Sequence, residues 1–193
     1  MPYEYHLQLE NEKALVKGCI ENNRVFQNHL YKIYAAKMMG VCLRYAKTRE
    51  DAEDILQEGF IQVFTCIKQF KFKGSLEAWI KKVFINCALQ KLREKENSYL
   101  FMDIYCLPEI PKLSYEEAES VDLKKLIEHI QKLPLVSRLV FNLHVFEGYK
   151  HKEIARMLKI SVGTSKSNLF DARNNLQKQL KEHDPFIKNV VNE

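Results

Sequence analysis

Glycine and proline are scarce in this chain, 6 and 5 among 193 residues. So few turn formers, beside abundant Leu, Ile, Lys and Glu, favour helix over a sheet of many short strands. No segment alternates apolar and polar residues as a half-buried strand would, and no internal repeat is evident. No apolar run approaches the ~18 residues of a membrane span. Met1 to Glu12 is too polar for a signal peptide, so the expected compartment is the cytosol. The 5 cysteines, Cys19, Cys42, Cys66, Cys87 and Cys106, are odd in number and form no CxxC or Cys/His cluster. That pattern argues against a disulfide framework and against structural zinc. Cys66 and Cys87 sit among apolar neighbours and read as small core residues in a reducing compartment. Nothing in the composition calls for a cofactor or a small-molecule substrate.

What the chain does have is an ordinary apolar fraction, 46%, and unevenly placed charge on a net +5. Glu50, Asp51, Glu53, Asp54 and Glu58 cluster without a cation among them. From Lys71 to Lys95 cations outnumber acids, Asp103 to Asp122 is acidic, and Lys150 to Lys181 is basic again. Such alternation points to different partners for different faces.

Helical spacing of Phe26, Leu30, Ile33, Val41 and Tyr45 predicts a first long helix. A second, over about Asp51 to Phe70, places Leu56, Phe60, Val63, Phe64 and Ile67 on one stripe. Asp54, Gln57, Glu58 and Ile61 fall on its other side. Gly74-Ser75 breaks the pattern, with Ser75 as N-cap of a helix to about Lys95. Residues 97–120, with Pro108 and Pro111, read as a linker. Helices resume at Val121, with Leu123, Leu126, Ile127, Ile130 and Leu133 on one stripe, and Pro134 suits the first turn of the next. The expected fold is all-α, two small helical domains.

His151 to Leu158, a turn at Lys159 to Val162, and a helix from Gly163 to about Leu180 read as a helix-turn-helix, with Thr164 or Ser161 as cap. Ser165, Leu169, Ala172, Leu176 and Leu180 line its packing face. Ser167, Phe170, Asp171, Asn174 and Lys178 lie opposite, flanked by Lys166 and Arg173. Lys166, Ser167 and Asn168, near the start of the second helix, suit base-edge or phosphate contacts. A plain helical hairpin with a solvated basic face is the competing reading.

Between Phe70 and Lys95 aromatics alternate with cations: Phe70, Lys71, Phe72, Lys73, Trp79, Lys81, Lys82. Loop aromatics stack on unpaired bases while lysines hold phosphates, the usual grip on a single strand. On the following helix Lys82, Asn86, Leu89 and Arg93 share one side, and Ile80, Phe84 and Cys87 read as core. Trp79 suits either core or stacking. Asp51, Asp54 and Glu58 raise the question of a metal-dependent nuclease, but no second helix supplies matching carboxylates or an ExxH pair.

The order Asp51-Ala-Glu-Asp-Ile-Leu-Gln-Glu-Gly-Phe60, then Phe72-Lys-Gly74, Trp79-Ile and Asn86, resembles region 2 of the sigma-70 family. Leu133-Pro134 through Arg138, Val140-Phe141 and Leu143, then Glu153-Ile-Ala155 and Ile160-Ser-Val-Gly-Thr164, resembles region 4. Only these two regions are recognised, as in the extracytoplasmic-function (ECF) sigma factors. The resemblance implies region 2 over 22–96, a linker over 97–120, region 4 over 121–182 and a tail over 183–193. It implies a non-enzymatic subunit that takes core RNA polymerase to promoter DNA. Asp51, Asp54, Gln57, Glu58 and Ile61 would meet the β′ clamp helices. Lys71, Phe72, Lys73, Gly74 and Ser75 would capture a flipped base of the −10 element, with Trp79, Lys82, Asn86 and Arg93 on the same strand. Thr164, Lys166, Ser167, Asn168, Phe170 and Arg173 would read the −35 element while the body of region 4 touches the β flap. An anti-sigma factor is the further partner it implies. A transcriptional regulator outside the polymerase is the alternative function, and it would need neither the acidic face nor the Lys/Phe loop. The tail, with Phe186, Ile187, Val190 and Val191 at helical spacing, either docks or frays.

Three residues depart from the family pattern: Ser165 stands for a buried Val, Asn168 for a common Arg, and Asp171 for a basic or neutral residue. Ser165 implies looser packing or a hydrogen bond. A carboxylate on the DNA side repels phosphate. Asp171→Asn is therefore expected to tighten binding to −35 duplex in anisotropy titrations at fixed salt. Unchanged or weaker affinity would place Asp171 away from the phosphates.

Overall fold

The computed structural model describes residues 2–95 and 121–183. The expected linker, all of the tail beyond His183, and Cys106 lie outside them. Every regular element among the described residues is helical, as anticipated. None of those helices is long and apolar enough to cross a membrane.

Four helices make the amino-terminal bundle: α1 (Pro2–Ile20), α2 (Arg24–Tyr45), α3 (Arg49–Cys66) and α4 (Leu76–Lys95). Asn23 Oδ1 accepts the Val25 N–H at 2.9 Å and Thr48 Oγ1 the Asp51 N–H at 3.1 Å, starting α2 and α3. Glu50 and Asp51 then sit in the first turn of α3, where the helix dipole favours negative charge. Ser75 caps α4, its Oγ accepting the Ala78 N–H at 3.2 Å. A 3-10 turn, Ile67–Gln69, closes α3.

The buried stripe of α2 is Leu30, Tyr34, Met38, Val41, Cys42 and Tyr45. Ile33, expected on it, is 41% exposed, because the 3- and 4-residue steps from Leu30 to Tyr45 select a face one position round. On α3 the core side is Ala52, Ile55, Gly59, Phe60 and Val63, with Leu56 and Phe64 only half-buried. Helix α4 packs on both α2 and α3, so its buried arc is wide. It takes in Leu89, which the sequence placed beside Lys82 and Asn86. Helix α1, not assigned from the sequence, covers α2 and the 3-10 turn with Leu15, Val16 and Cys19. Burial pushes the thiols of Cys19 and Cys87 up to about 11 and that of Cys42 up to about 12, which suppresses the reactive thiolate at neutral pH. Cys66, expected in the core, is only half-buried.

The second unit holds α5 (Val121–Gln131), α6 (Leu135–Phe141), α7 (His151–Leu158) and α8 (Val162–His183). Pro134 is the N-cap of α6, which runs on into a π turn, Asn142–Phe146. Helix α7 ends with Lys159 in the left-handed region at φ 51°, which turns the chain into α8. Leu169, Ala172 and Leu176 bury the inner face of α8 against α6 and α7.

At Gly59, α3 packs closely on α4. A Cβ there would stand 2.3 Å from the Phe84 ring, itself fully buried. Gly59→Ala should cost ~1–3 kcal/mol of overpacking, more than the ~1 kcal/mol that alanine gains in helix propensity. Thermal unfolding should show a lower Tm, partly restored by adding Phe84→Leu. A Tm at or above that of the parent chain would mean the bundle opens there at no cost.

Candidate functional site

The outer side of α3 mixes carboxylates with an apolar centre. Asp54 and Gln57 are exposed, Asp51 and Glu58 half-buried, and Ile61 on the same helix is 58% exposed. Tyr31 rests on Phe60 with ring centroids 4.6 Å apart. Asp54 Oδ2 lies 3.7 Å from Lys91 Nζ, a loose surface pair. Both residues edge a depression of about 410 Å³ between α3 and α4. An apolar spot inside a polar rim is the anatomy of a protein-docking surface.

The loop before α4 is exposed throughout Lys71, Phe72, Lys73, Gly74 and Ser75. Gly74 takes φ 135°, which a side chain would oppose, and Phe72 takes φ 55°. The Phe72 ring, 40% exposed, leans on Phe70 at 4.8 Å, and Phe70 on Trp79 at 5.7 Å. Trp79 is half-buried, at the α4 end of an aromatic tier whose central ring, Phe70, is buried and whose most exposed ring is Phe72. Glu12 of α1 accepts the Leu76 N–H, so both α1 and Ser75 fix the start of α4. Lys82, Asn86 and Arg93 are half-buried and each is engaged by neighbours.

On the second unit Ser161 rather than Thr164 caps α8: its Oγ accepts the Thr164 N–H at 2.9 Å, and the two hydroxyls share a bond of 2.8 Å. Thr164, Lys166, Ser167, Phe170 and Asp171 are exposed, and Arg173 is half-buried. Asn168 departs from the expectation. Its Oδ1 accepts from Ser137 Oγ at 2.9 Å and its Nδ2 donates to the Thr164 carbonyl at 2.9 Å, which turns the amide toward α6. Ser165 is fully buried and hydrogen-bonded to His151 Nδ1 at 2.9 Å. Of the two consequences expected of Ser165, the hydrogen bond is the one present. The His151 ring stacks on His144 at 4.5 Å, and His144 Nδ1 meets the Tyr149 carbonyl at 2.8 Å.

Sequence reasoning missed the junction between the two units. Glu147, fully buried, puts Oε1 2.9 Å from Arg44 Nη2 and Oε2 2.6 Å from Lys81 Nζ. The Arg44 guanidinium lies 4.4 Å over the Phe146 ring. Gln131 donates to the Leu43 carbonyl at 3.0 Å and Asn142 to the Arg44 carbonyl at 2.7 Å, so the second unit caps the orphan end of α2. The available signal was a lone charge inside an apolar run: Arg44 between Leu43 and Tyr45, Glu147 between Phe146 and Gly148-Tyr149.

A helical bundle with an acidic face and a basic aromatic loop, joined to a helix-turn-helix, has the layout of a two-module DNA-binding protein. The sigma-70 region 2 family matches residues 30–97 and the sigma-70 region 4 family residues 123–176, together more than half of the chain. It is similar to the RNA polymerase sigma-H factor of Pseudomonas aeruginosa, 26% identical over 190 residues, covering 90% of this chain and 96% of that one. It is also similar to the ECF RNA polymerase sigma factor SigW of Bacillus subtilis, 28% identical over 166 residues, covering 78% and 86%. The fold is shared with the sigma factor RpoE of Bartonella quintana, solved with the anti-sigma factor NepR: TM-score 0.51, 20% identity, covering 80% of this chain and 96% of that one. The chain belongs to the sigma-70 family, in its ECF group of RNA polymerase sigma factors.

The pKa of His151 is lowered from its ordinary 6.5, by burial first and then by His144, Lys166 and Arg173. The unfolded chain then binds the proton more readily than the folded one. The stability this histidine contributes is complete above about pH 6.5 and is lost as pH falls toward the lower, folded-state value. Thermal melts at about pH 7.5 and 5.5 should show a drop that His151→Gln reduces, and Ser165→Ala should cost ~1 kcal/mol at either pH. An acid-induced drop unchanged by His151→Gln would contradict this.

Proposed function

We propose that this chain binds core RNA polymerase through the outer face of α3, centred on Asp54, Gln57, Glu58 and Ile61 with Asp51 at its edge. It then carries the polymerase to promoters. The observation that supports this most is the layout of one bundle. The carboxylate face and the Lys71–Ser75 loop belong to consecutive helices, α3 and α4, locked together at Gly59 and Phe84. A protein partner and a DNA strand can therefore be held at once in fixed relation.

In this reading Phe72, the most exposed ring of the aromatic tier, stacks on an unpaired base of the −10 element, and Lys71 and Lys73 hold its phosphates. Gly74 and Ser75 shape the loop, Trp79 backs it, and Lys82, Asn86 and Arg93 guide the strand along α4. Flipping a base costs a few kcal/mol, which these contacts offset. Thr164, Lys166, Ser167, Phe170 and Arg173 face the major groove of the −35 element. Asn168, bound within its own unit, holds the helix in place. The polymerase performs the chemistry and the chain contributes binding free energy, so it works where polymerase and genome are, in the cytoplasm. An anti-sigma factor is a fitting further partner, since the related RpoE was solved with one. A regulator outside the polymerase would leave the α3 face without a use.

Gel filtration with core RNA polymerase tests the docking face. The chain should co-elute, and Asp54→Ala/Gln57→Ala/Glu58→Ala should elute alone while keeping its helical circular-dichroism spectrum. Failure of both to bind active cognate core would move the regulator reading ahead. Binding by both would put the interface elsewhere.

A further inference from the structure

We propose that Arg44 and Lys81 form an anion seat, filled by Glu147 when the two units are closed and by a phosphate of promoter DNA when they part. The second half of this rests on the function proposed above. Two cations from different helices of the first unit converge on one carboxylate of the second, one on each oxygen, in a buried junction. A phosphate presents oxygens of the same charge and similar spacing. Lys81 is next in sequence to Lys82, on the helix nominated for the −10 strand.

The closed arrangement and promoter binding exclude each other on size. The −10 and −35 elements lie ~25 base pairs apart, or ~85 Å of duplex. A compact chain of this length has a radius of gyration of only ~16 Å, a diameter near ~40 Å. The units must separate to reach both elements. When they do, Glu147, Phe146 and Asn142 all leave the first unit. Arg44 and Lys81 are then side by side without the counter-charge that had held them, and DNA phosphate supplies it. The same residues that latch the free chain thus favour its open form on a promoter, and Glu147 acts as an internal stand-in for DNA.

Small-angle scattering of the full chain tests the latch. Glu147→Gln and, separately, Arg44→Gln should each increase the radius of gyration over the parent at low salt. If both variants stay as compact as the parent, the latch is overturned. The seat is tested with core polymerase and a labelled promoter fragment, starting from Glu147→Gln so that the latch is already off. Adding Arg44→Gln should weaken binding roughly ten-fold. It should also make the log affinity–log salt slope shallower by ~0.7–0.9. Unchanged affinity and slope would overturn the seat. If Glu147→Gln with core binds no promoter fragment at all, the functional reading falls and the seat with it, while the scattering result still decides the latch.

Discussion

The contact of Gly59 with the Phe84 ring sets the geometry on which both faces of the first unit depend. A missing Cβ lets α3 lie against α4 closely enough for a fully buried phenylalanine to fill the seam. Once that seam is fixed, the outward positions of α3, Asp54, Gln57 and Ile61, cannot rotate relative to the loop that Ser75 and Glu12 tie to the start of α4. A sigma factor must transmit the position of a polymerase to the position of a base, and rigid packing between two helices is how a small chain does so.

The two units share an apolar core that runs on from one into the other, and a cluster of polar groups is set into their junction. Glu147 is fully buried with Arg44 and Lys81, and Gln131 and Asn142 serve the last carbonyls of α2. A buried ion cluster contributes little net stability against well-packed apolar residues, yet breaking one partner away is costly. Such a junction is specific in register and, when all its members are hydrated together, separable. That combination suits units that must be held in one arrangement and released into another.

Much of this was legible in the chain. The helix-turn-helix was clearest, because Ser165, Leu169, Ala172 and Leu176 repeat at helical spacing against a polar face, and α7 was bounded as observed at His151 and Leu158. The aromatic-cation loop and the acidic α3 face could be read from order and charge. Ile33 and Leu89 were misplaced because which apolar residue is buried depends on how many helices cover it, and periodicity carries no such information. Asn168 turned inward because Ser137, 31 residues away, supplies a donor that spacing alone cannot reveal. Helix α1 escaped notice because its apolar anchor is only a short patch, Leu15, Val16 and Cys19, beside one polar tie from Glu12. The Glu147 junction is tertiary altogether: its partners lie 66 and 103 residues away, and only folding brings them together.

The central claim is that the chain confers promoter choice on a polymerase. Its most direct test is transcription of fragmented DNA from the chain's own genome by cognate core polymerase, with and without the protein, followed by mapping of transcript 5′ ends. Addition of the chain should create a discrete set of start sites sharing sequence elements centred near −10 and −35. Start sites that are the same in both reactions would contradict it.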